Sequence, residues 1–236
     1  MIKVLLWDLD NTLLDFSKAE KAAIAVTFDK MNMSKFTTKM YNSYTKIDRL
    51  YWHKIEKKEL SKDVALVKRY EDLFALYGLD TSMAKEFNDN YAVALADIIV
   101  YKDKSLDILT SLKGKYKQYI VSNGVSKIQH KRLKNSGIDK IVDGVFISDD
   151  IGYEKPSIEF FDYVLNHIEY KDKSEIMIIG DTLTSDIRGG NLAGIHTCWY
   201  NPQKKGCPCG YKVELDVQSL GEFVEVLKLI NYTPNK

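Results

Sequence analysis

The sequence predicts an α/β protein, a doubly wound parallel sheet with an all-helical insertion near the N-terminus. Three observations lead there. Wholly apolar runs at 4–7, 119–121 and 176–179 each stop abruptly at small polar or acidic residues, as strands buried on both faces do when they open onto a cleft at the sheet's carboxyl edge. Helical spacing fills the intervals between the later runs, the alternation from which parallel sheets are built. Residues 15–101, by contrast, carry helical spacing alone.

Composition bounds the function. With 236 residues, 45% hydrophobic and 11% aromatic, the chain can bury a substantial core as one large domain or a domain with an insertion. Lys and Arg number 34 against 33 Asp and Glu, leaving +1, so no global field favours a nucleic acid polymer or an anionic membrane. The first apolar run is too short for a signal peptide, and no stretch approaches membrane-spanning length. Three cysteines, an odd number, fit a reducing compartment, and a cytoplasmic location is expected.

The first strand, Val4 to Trp7, runs into Asp8-Leu9-Asp10-Asn11-Thr12, two carboxylates one residue apart. Such residues also make ordinary turns. A calcium loop counted from Asp8 would need Gly and Glu where the chain has Leu13 and Ala19, so that reading fails. What the carboxylates do depends on the other strand ends.

In the insertion, Met40, Tyr44, Ile47, Tyr51 and Ile55 form one helical stripe, Val67, Tyr70, Phe74 and Tyr77 a second, and Phe87, Tyr91, Leu95 and Ile98 a third. Gly78 and Asp80-Thr81-Ser82 punctuate the last two. Aromatic stripes of this kind are the inner faces of a helical bundle.

From Ser105 a helix with Leu106, Leu109 and Leu112 leads into Tyr119-Ile120-Val121, which stops at Ser122-Asn123-Gly124. A helical segment then reaches Gly137, a natural stop. Val145-Phe146-Ile147 follows, then Ser148-Asp149-Asp150 and Glu154-Lys155-Pro156, where Pro156 suits the first turn of the next helix with Lys155 at its entrance. Ile176 to Ile179 ends in Gly180-Asp181 and reaches Asp186, while Thr197 to Tyr200 reads as a further strand. In the tail, Cys207-Pro208-Cys209 with His196 and Cys198 could supply four metal ligands or simply a Pro-containing loop. Residues 231–236 are expected to fray.

Together, Asp8-x-Asp10-x-Thr12, Ser122, Lys155-Pro156 and Gly180-Asp181 through Asp186 resemble the haloacid dehalogenase superfamily, in the family's order. The resemblance implies a Rossmann-like catalytic core at 1–14 and 102–236 and a helical cap at 15–101. Lys102-Asp103 stands where the family often has Pro-Gly. Within the superfamily, the run Gly180 to Asn201 is similar to the pyrimidine 5'-nucleotidases of the YjjG type.

Phosphate monoesters hydrolyse extremely slowly in water, so an enzyme must position an attacking group and neutralise charge on the phosphoryl oxygens. The resemblance makes Asp8 the nucleophile, forming an aspartyl phosphate that divides the displacement in two. Asp10 becomes the acid/base, its environment of carboxylates favouring a proton at the start. Mg²⁺ prefers hard oxygens, and the implied ligands are Asp8, Asp181 and the Asp10 carbonyl. Ser122, the backbone amides near Asn123 and Lys155 would bind phosphoryl oxygens, with Asp186 orienting Lys155 or a water on the metal and Thr12 in a supporting role beside them. The expected partner is a small phosphate ester, with the chain a monomer or weak dimer. Sugar phosphates and phosphoglycolate are alternative substrates. A 2-haloacid dehalogenase is a further reading, against which Asp10 argues because that chemistry needs no acid for a phosphate leaving group.

Overall fold

The computed structural model describes residues 1–232. The apolar runs form strands β1 (Val4–Trp7), β2 (Lys117–Ser122), β3 (Gly144–Ile147), β4 (Ile176–Gly180) and β5 (His196–Tyr200), joined by β6 (Leu215–Val217). The helices are α1 (Phe16–Lys30), α2 (Thr38–Glu56), α3 (Lys62–Leu76), α4 (Ala84–Asp97), α5 (Ser105–Leu112), α6 (Ser126–Ser136), α7 (Ser148–Ile151), α8 (Ile158–His167), α9 (Arg188–Ala193) and α10 (Leu220–Asn231). β6 has no sequence signal of its own, being three residues with one exposed Asp.

The six strands are parallel in the order β3-β2-β1-β4-β5-β6. The chain moves outward from β1 to β3, then resumes on β1's other side at β4. The winding direction therefore reverses between β1 and β4, the place where an open α/β sheet leaves a crevice at its carboxyl edge. Trp7 at the end of β1 stands beside Ile120 and Ile179, so Asp8, Ser122 and Asp181 emerge at neighbouring points.

Alternation along β1 sends Leu5 and Trp7 to one face and Val4 and Leu6 to the other. On the first face they pack with Leu109, Leu133, Phe223 and Leu227 from α5, α6 and α10. On the second they meet Phe160, Phe161 and Val164 from α8. Each such fully buried side chain contributes about 1.5–3 kcal/mol. Helices on both faces make the sheet doubly wound, and this is the Rossmann-like α/β fold expected from the sequence.

The chain divides into two compact units, one from residues 1–16 and 99 onward, the other 17–98. The sequence reading set these joints at 14/15 and 101/102. In the sheet-bearing unit, Asp15 N donates to Val100 O and Lys102 N to Leu13 O, and Leu14 bridges Tyr101. That backbone pairing keeps residues 13–16 and 99–102 with the sheet.

The 17–98 unit is helical throughout, with Tyr44, Tyr70, Phe74, Phe87 and Tyr91 buried. The stripe on α3 is displaced from the one read in the sequence. Leu66, Arg69, Tyr70, Leu73 and Phe74 are buried, while Val67 and Tyr77 are half-buried. Arg69 is drawn inward because Asp48 pairs with it at 2.6 Å and its guanidinium lies 4.9 Å from the Tyr70 ring centre, satisfying a charge that could not otherwise be buried. Beside it Glu20 accepts the Tyr44 hydroxyl at 2.9 Å. Burial first, and the Asp48 charge second, push its carboxyl up to about 8.

Two local expectations are corrected. Pro156 does not open a helix. α8 begins at Ile158 behind Ser157, whose hydroxyl accepts from Phe160 N, and the Lys155–Pro156 peptide is cis; a hydroxyl cap suits the helix start better than a proline one residue too early. Asn231 is not frayed, since its side chain accepts from Ile2 N at 2.8 Å and donates to Ile2 O at 3.0 Å. Tyr232 N still donates to Leu229 O at 3.2 Å, and the rest of the expected frayed segment, 233–236, lies outside the described residues. Among the described residues, no helix is long and apolar enough to cross a membrane.

Candidate active site at the sheet's carboxyl edge

Asp8 leaves β1 with its N–H still in the ladder, donating to Ile179 O at 2.9 Å. The loop then turns sharply. Leu13 and Leu14 N–H groups return to Leu9 O, and Asn11, at φ 61°, donates to Leu14 O. Asn tolerates that left-handed conformation better than most residues. The turn brings Thr12 beneath Asp8, where Thr12 Oγ1 donates to Asp8 Oδ2 at 2.9 Å.

The other Asp8 oxygen accepts Lys155 Nζ at 2.8 Å. Lys155 is 2% exposed, and its ammonium also donates to Asp186 Oδ1 at 2.7 Å and Val121 O at 2.8 Å. All three of its protons are thus engaged by protein oxygens. The sequence reading put this ammonium on phosphoryl oxygens, whereas here it braces Asp8 against Asp186. Burial alone would lower the lysine's pKa, but the Asp186 and Asp8 charges outweigh it and raise it, so the group stays cationic.

Asp181 follows β4. A single π turn, Leu183–Ile187, carries Asp186 back toward it, the kind of helix irregularity that places side chains at sites. Gly180 is required there, because a Cβ would lie 2.2 Å from Asp186 Oδ2. That same Oδ2 accepts Thr182 N at 3.1 Å, and Thr182 Oγ1 donates to Asp181 Oδ1 at 3.0 Å. Trp199 Nε1 on β5 holds the Asp181 carbonyl at 2.9 Å.

Asp8, Asp181 and Asp186 each offer an oxygen within 4.8 Å of the others, the one such carboxylate, His or Cys group among the described residues. Burial, then the Asp186 charge, push Asp181 up to about 7. Burial likewise raises Asp8, against the pull of Lys155. Three carboxyl groups stand around one buried ammonium, and their donor atoms are hard oxygens. The chemistry of the set fits a small divalent cation such as Mg²⁺.

The Asp10 carboxylate is held from α6 rather than by Lys155. Its Oδ1 accepts Arg132 Nη1 and its Oδ2 accepts Gln129 Nε2 at 2.7 Å. Gln129 Nε2 also donates to Ser122 Oγ at 2.7 Å. The Asn123 side chain clips the lysine loop through Lys155 O and Lys155 N, both at 2.8 Å, which leaves the backbone amides beside it as the groups expected to meet phosphoryl oxygens. Asp8, Ser122, Lys155, Asp181 and Asp186 are therefore brought together, and Asp10 joins them through Gln129. Gln129 and Arg132 were missed because neither lies in a motif at a strand end. The available signal was their i, i+3 spacing with Leu133 and Ser136 on the buried face of α6, where two polar side chains need buried partners.

His196, Cys198, Cys207 and Cys209 do not form a metal group among the described residues. Cys198 is inside β5, with its thiol pushed up by burial. His196 Nδ1 is 2.5 Å from Glu214, at the opposite edge of the sheet, and the other two cysteines are exposed.

An acidic crevice at the β1/β4 switch point, floored by a lysine-braced aspartate, in a chain that carries a helical insertion after β1, defines a class of hydrolase. The chain belongs to the haloacid dehalogenase-like hydrolases, whose family pattern matches residues 2–194. It is 34% identical over 229 residues to the HAD-hydrolase YfnB of Bacillus subtilis, covering 97% of each chain. The solved structure of YfnB, bound to magnesium, matches with a TM-score of 0.90 over 96% of this chain and 98% of that one. The pyrimidine 5'-nucleotidase PynA of Streptococcus pneumoniae is 35% identical over 201 residues, covering 85% of this chain and 84% of its own. The pyrimidine 5'-nucleotidase YjjG of Escherichia coli is 28% identical over 192 residues, covering 81% and 84%.

Proposed function

We propose that the protein is a Mg²⁺-dependent phosphomonoester hydrolase that works through an aspartyl phosphate on Asp8 and takes pyrimidine nucleoside 5'-monophosphates. The observation that carries the reading is the Asp8, Asp181 and Asp186 cluster braced by Lys155. Asp8, Asp181 and the Asp10 carbonyl are the proposed metal ligands, with Asp186 near enough to share the ion directly or through water. When bound, Mg²⁺ would offset charge on the phosphoryl oxygens and on the attacking carboxylate.

The residues of the chain supply the remaining steps. Thr12 and Lys155 fix the two Asp8 oxygens, so the carboxylate meets phosphorus in one orientation. One Asp8 oxygen forms a bond to phosphorus as the ester P–O bond breaks, and Asp10 transfers its proton to the departing alkoxide. Asp10 then takes a proton from water as that water attacks the aspartyl phosphate, releasing phosphate and restoring Asp8. Ser122 donates its hydroxyl to a phosphoryl oxygen. Lys155 holds Asp8 and Asp186 beside one another and adds positive charge behind the transferring group.

The substrate class rests on PynA and YjjG, to which the chain is similar over more than four-fifths of its length. Residues 17–98 are proposed as the cap, whose aromatic content suits a base, since stacking contributes about 1–3 kcal/mol per base. The test is kcat/KM for dUMP, dTMP and UMP against a hexose phosphate and phosphoglycolate in Mg²⁺. Preference for the nucleotides by about tenfold or more is expected; preference for either other substrate would remove the nucleotidase reading.

A further inference from the structure

Gln129 is 1% exposed and spends both amide protons on two residues of the proposed reaction. Its Nε2 protons go to Asp10 Oδ2 and Ser122 Oγ, both at 2.7 Å, and its Oε1 accepts Arg132 Nη1 at 2.9 Å. Arg132 in turn donates to Asp10 Oδ1. The amide orientation is fixed by this network, because only an oxygen can face the guanidinium. Gly124 leaves the room: a Cβ there would stand 2.4 Å from Gln129 Nε2.

We propose that Gln129 is a positioning residue that sets the phosphate donor and the acid/base together. Ser122 Oγ accepts from Gln129 and, at 3.2 Å, from Gly124 N. Two acceptances fill a hydroxyl's lone pairs, so its proton is left to be donated outward. Asp10, with a donor on each oxygen, cannot rotate its carboxyl plane without losing one of them. One amide therefore aims the Ser122 proton at the phosphoryl group and the Asp10 carboxyl at the leaving oxygen, and neither residue keeps its aim when the amide is lost. Arg132 secures the same amide from behind, with its guanidinium 5.5 Å from the Phe16 ring centre. This inference rests on the phosphatase reading of the site.

The test is Gln129→Met, which keeps length and packing while removing both donors. Single-turnover phosphoryl transfer in Mg²⁺ would be followed for a nucleoside 5'-monophosphate, whose alkoxide needs the Asp10 proton, and for p-nitrophenyl phosphate, whose leaving group departs without one. The nucleotide rate should fall about 100-fold and the p-nitrophenyl rate only about 10-fold, the latter reflecting the misaimed Ser122 donor. KM should stay near the wild-type value, while the melting temperature should fall because Ser122, Asp10 and Arg132 each lose a buried partner. Equal losses on both substrates would show a packing role and overturn the inference, as would unchanged rates. If Gln129→Met does not fold, Gly124→Ala displaces the amide instead and is read by the same ratio. A wild-type protein that hydrolyses neither ester would overturn the phosphatase reading and this inference with it, whereas wild-type turnover with an indifferent variant overturns this one alone.

Discussion

Lys155→Met should convert the best-braced part of the site into its weakest. The substitution keeps most of the apolar stem but removes an ammonium within 2.8 Å of Asp8 and 2.7 Å of Asp186, whose side chains are 10% and 1% exposed. Breaking a buried ion pair from one side costs about 3–5 kcal/mol, because the remaining charge has neither partner nor water. Here two carboxylates lose their cation, and the loss is limited by one of them taking a proton, Asp8 being the group that burial already raises. For a chain of this size that corresponds to a fall in Tm of about 6–20 °C. The pH sign follows from the same groups. In the wild type the lysine's raised pKa keeps its contribution present throughout the neutral range, with loss only as pH climbs past the ordinary lysine value. In the variant, carboxylates with raised folded-state pKa values stabilise the fold while protonated and lose that contribution as pH rises, so the deficit should be small near about pH 5 and largest near about pH 8. Melting curves in EDTA at both pH values measure it, and Mg²⁺ should restore more stability to the variant than to the wild type, since a divalent cation replaces the missing charge. An unchanged Tm in EDTA near about pH 8, or a deficit that grows on acidification, would refute the reasoning.

Asp181→Ala should raise the Mg²⁺ concentration needed for half-maximal activity, while Ser122→Ala should leave that requirement alone and lose on the order of 3 kcal/mol of transition-state stabilisation; metal titrations of both variants separate the two effects. Glu20→Gln should stabilise the helical unit increasingly as pH rises. The wild-type carboxyl, at about 8 folded against 4.5 ordinarily, holds its proton in the fold and loses that contribution as pH climbs through this window, by at most about 1.4 kcal/mol per pH unit. Denaturant melts of wild type and variant across the window measure the divergence, and parallel curves would place Glu20 ionised in the folded state.

What the sequence made legible follows from what repeats. Apolar runs that stop at polar residues mark buried parallel strands and their open edge, so Asp8, Ser122 and Asp181 could be placed at one crevice before any geometry was known. β6 escaped notice because three residues with a central exposed Asp216 carry no such run. Arg69 was hidden for a different reason: periodicity assigns charged residues outward, and Asp48, the Leu66 carbonyl and three tyrosine rings together make its burial tolerable. The motifs pointed to Lys155 and the backbone amides near Asn123 as phosphate binders, but a motif names residue types and not where each side chain spends its hydrogen bonds. The ammonium is consumed by Asp8, Asp186 and Val121, and the amide of Asn123 by the lysine's own backbone. Gln129 and Arg132 reach Asp10 across about 120 residues of sequence, a separation at which spacing carries no information.

The central claim is that Asp8 carries the phosphoryl group, and the most direct measurement is to trap it there. The wild-type protein would be mixed with a phosphate monoester and Mg²⁺, quenched in acid during the first turnover, digested and weighed by mass spectrometry. The account predicts that the peptide containing Asp8 gains the mass of one phosphoryl group, that hydroxylamine removes it as it does other acyl phosphates, and that Asp8→Asn shows neither the adduct nor turnover. Turnover by wild type with no adduct on Asp8 under any quench, or appreciable hydrolysis by Asp8→Asn, would contradict it.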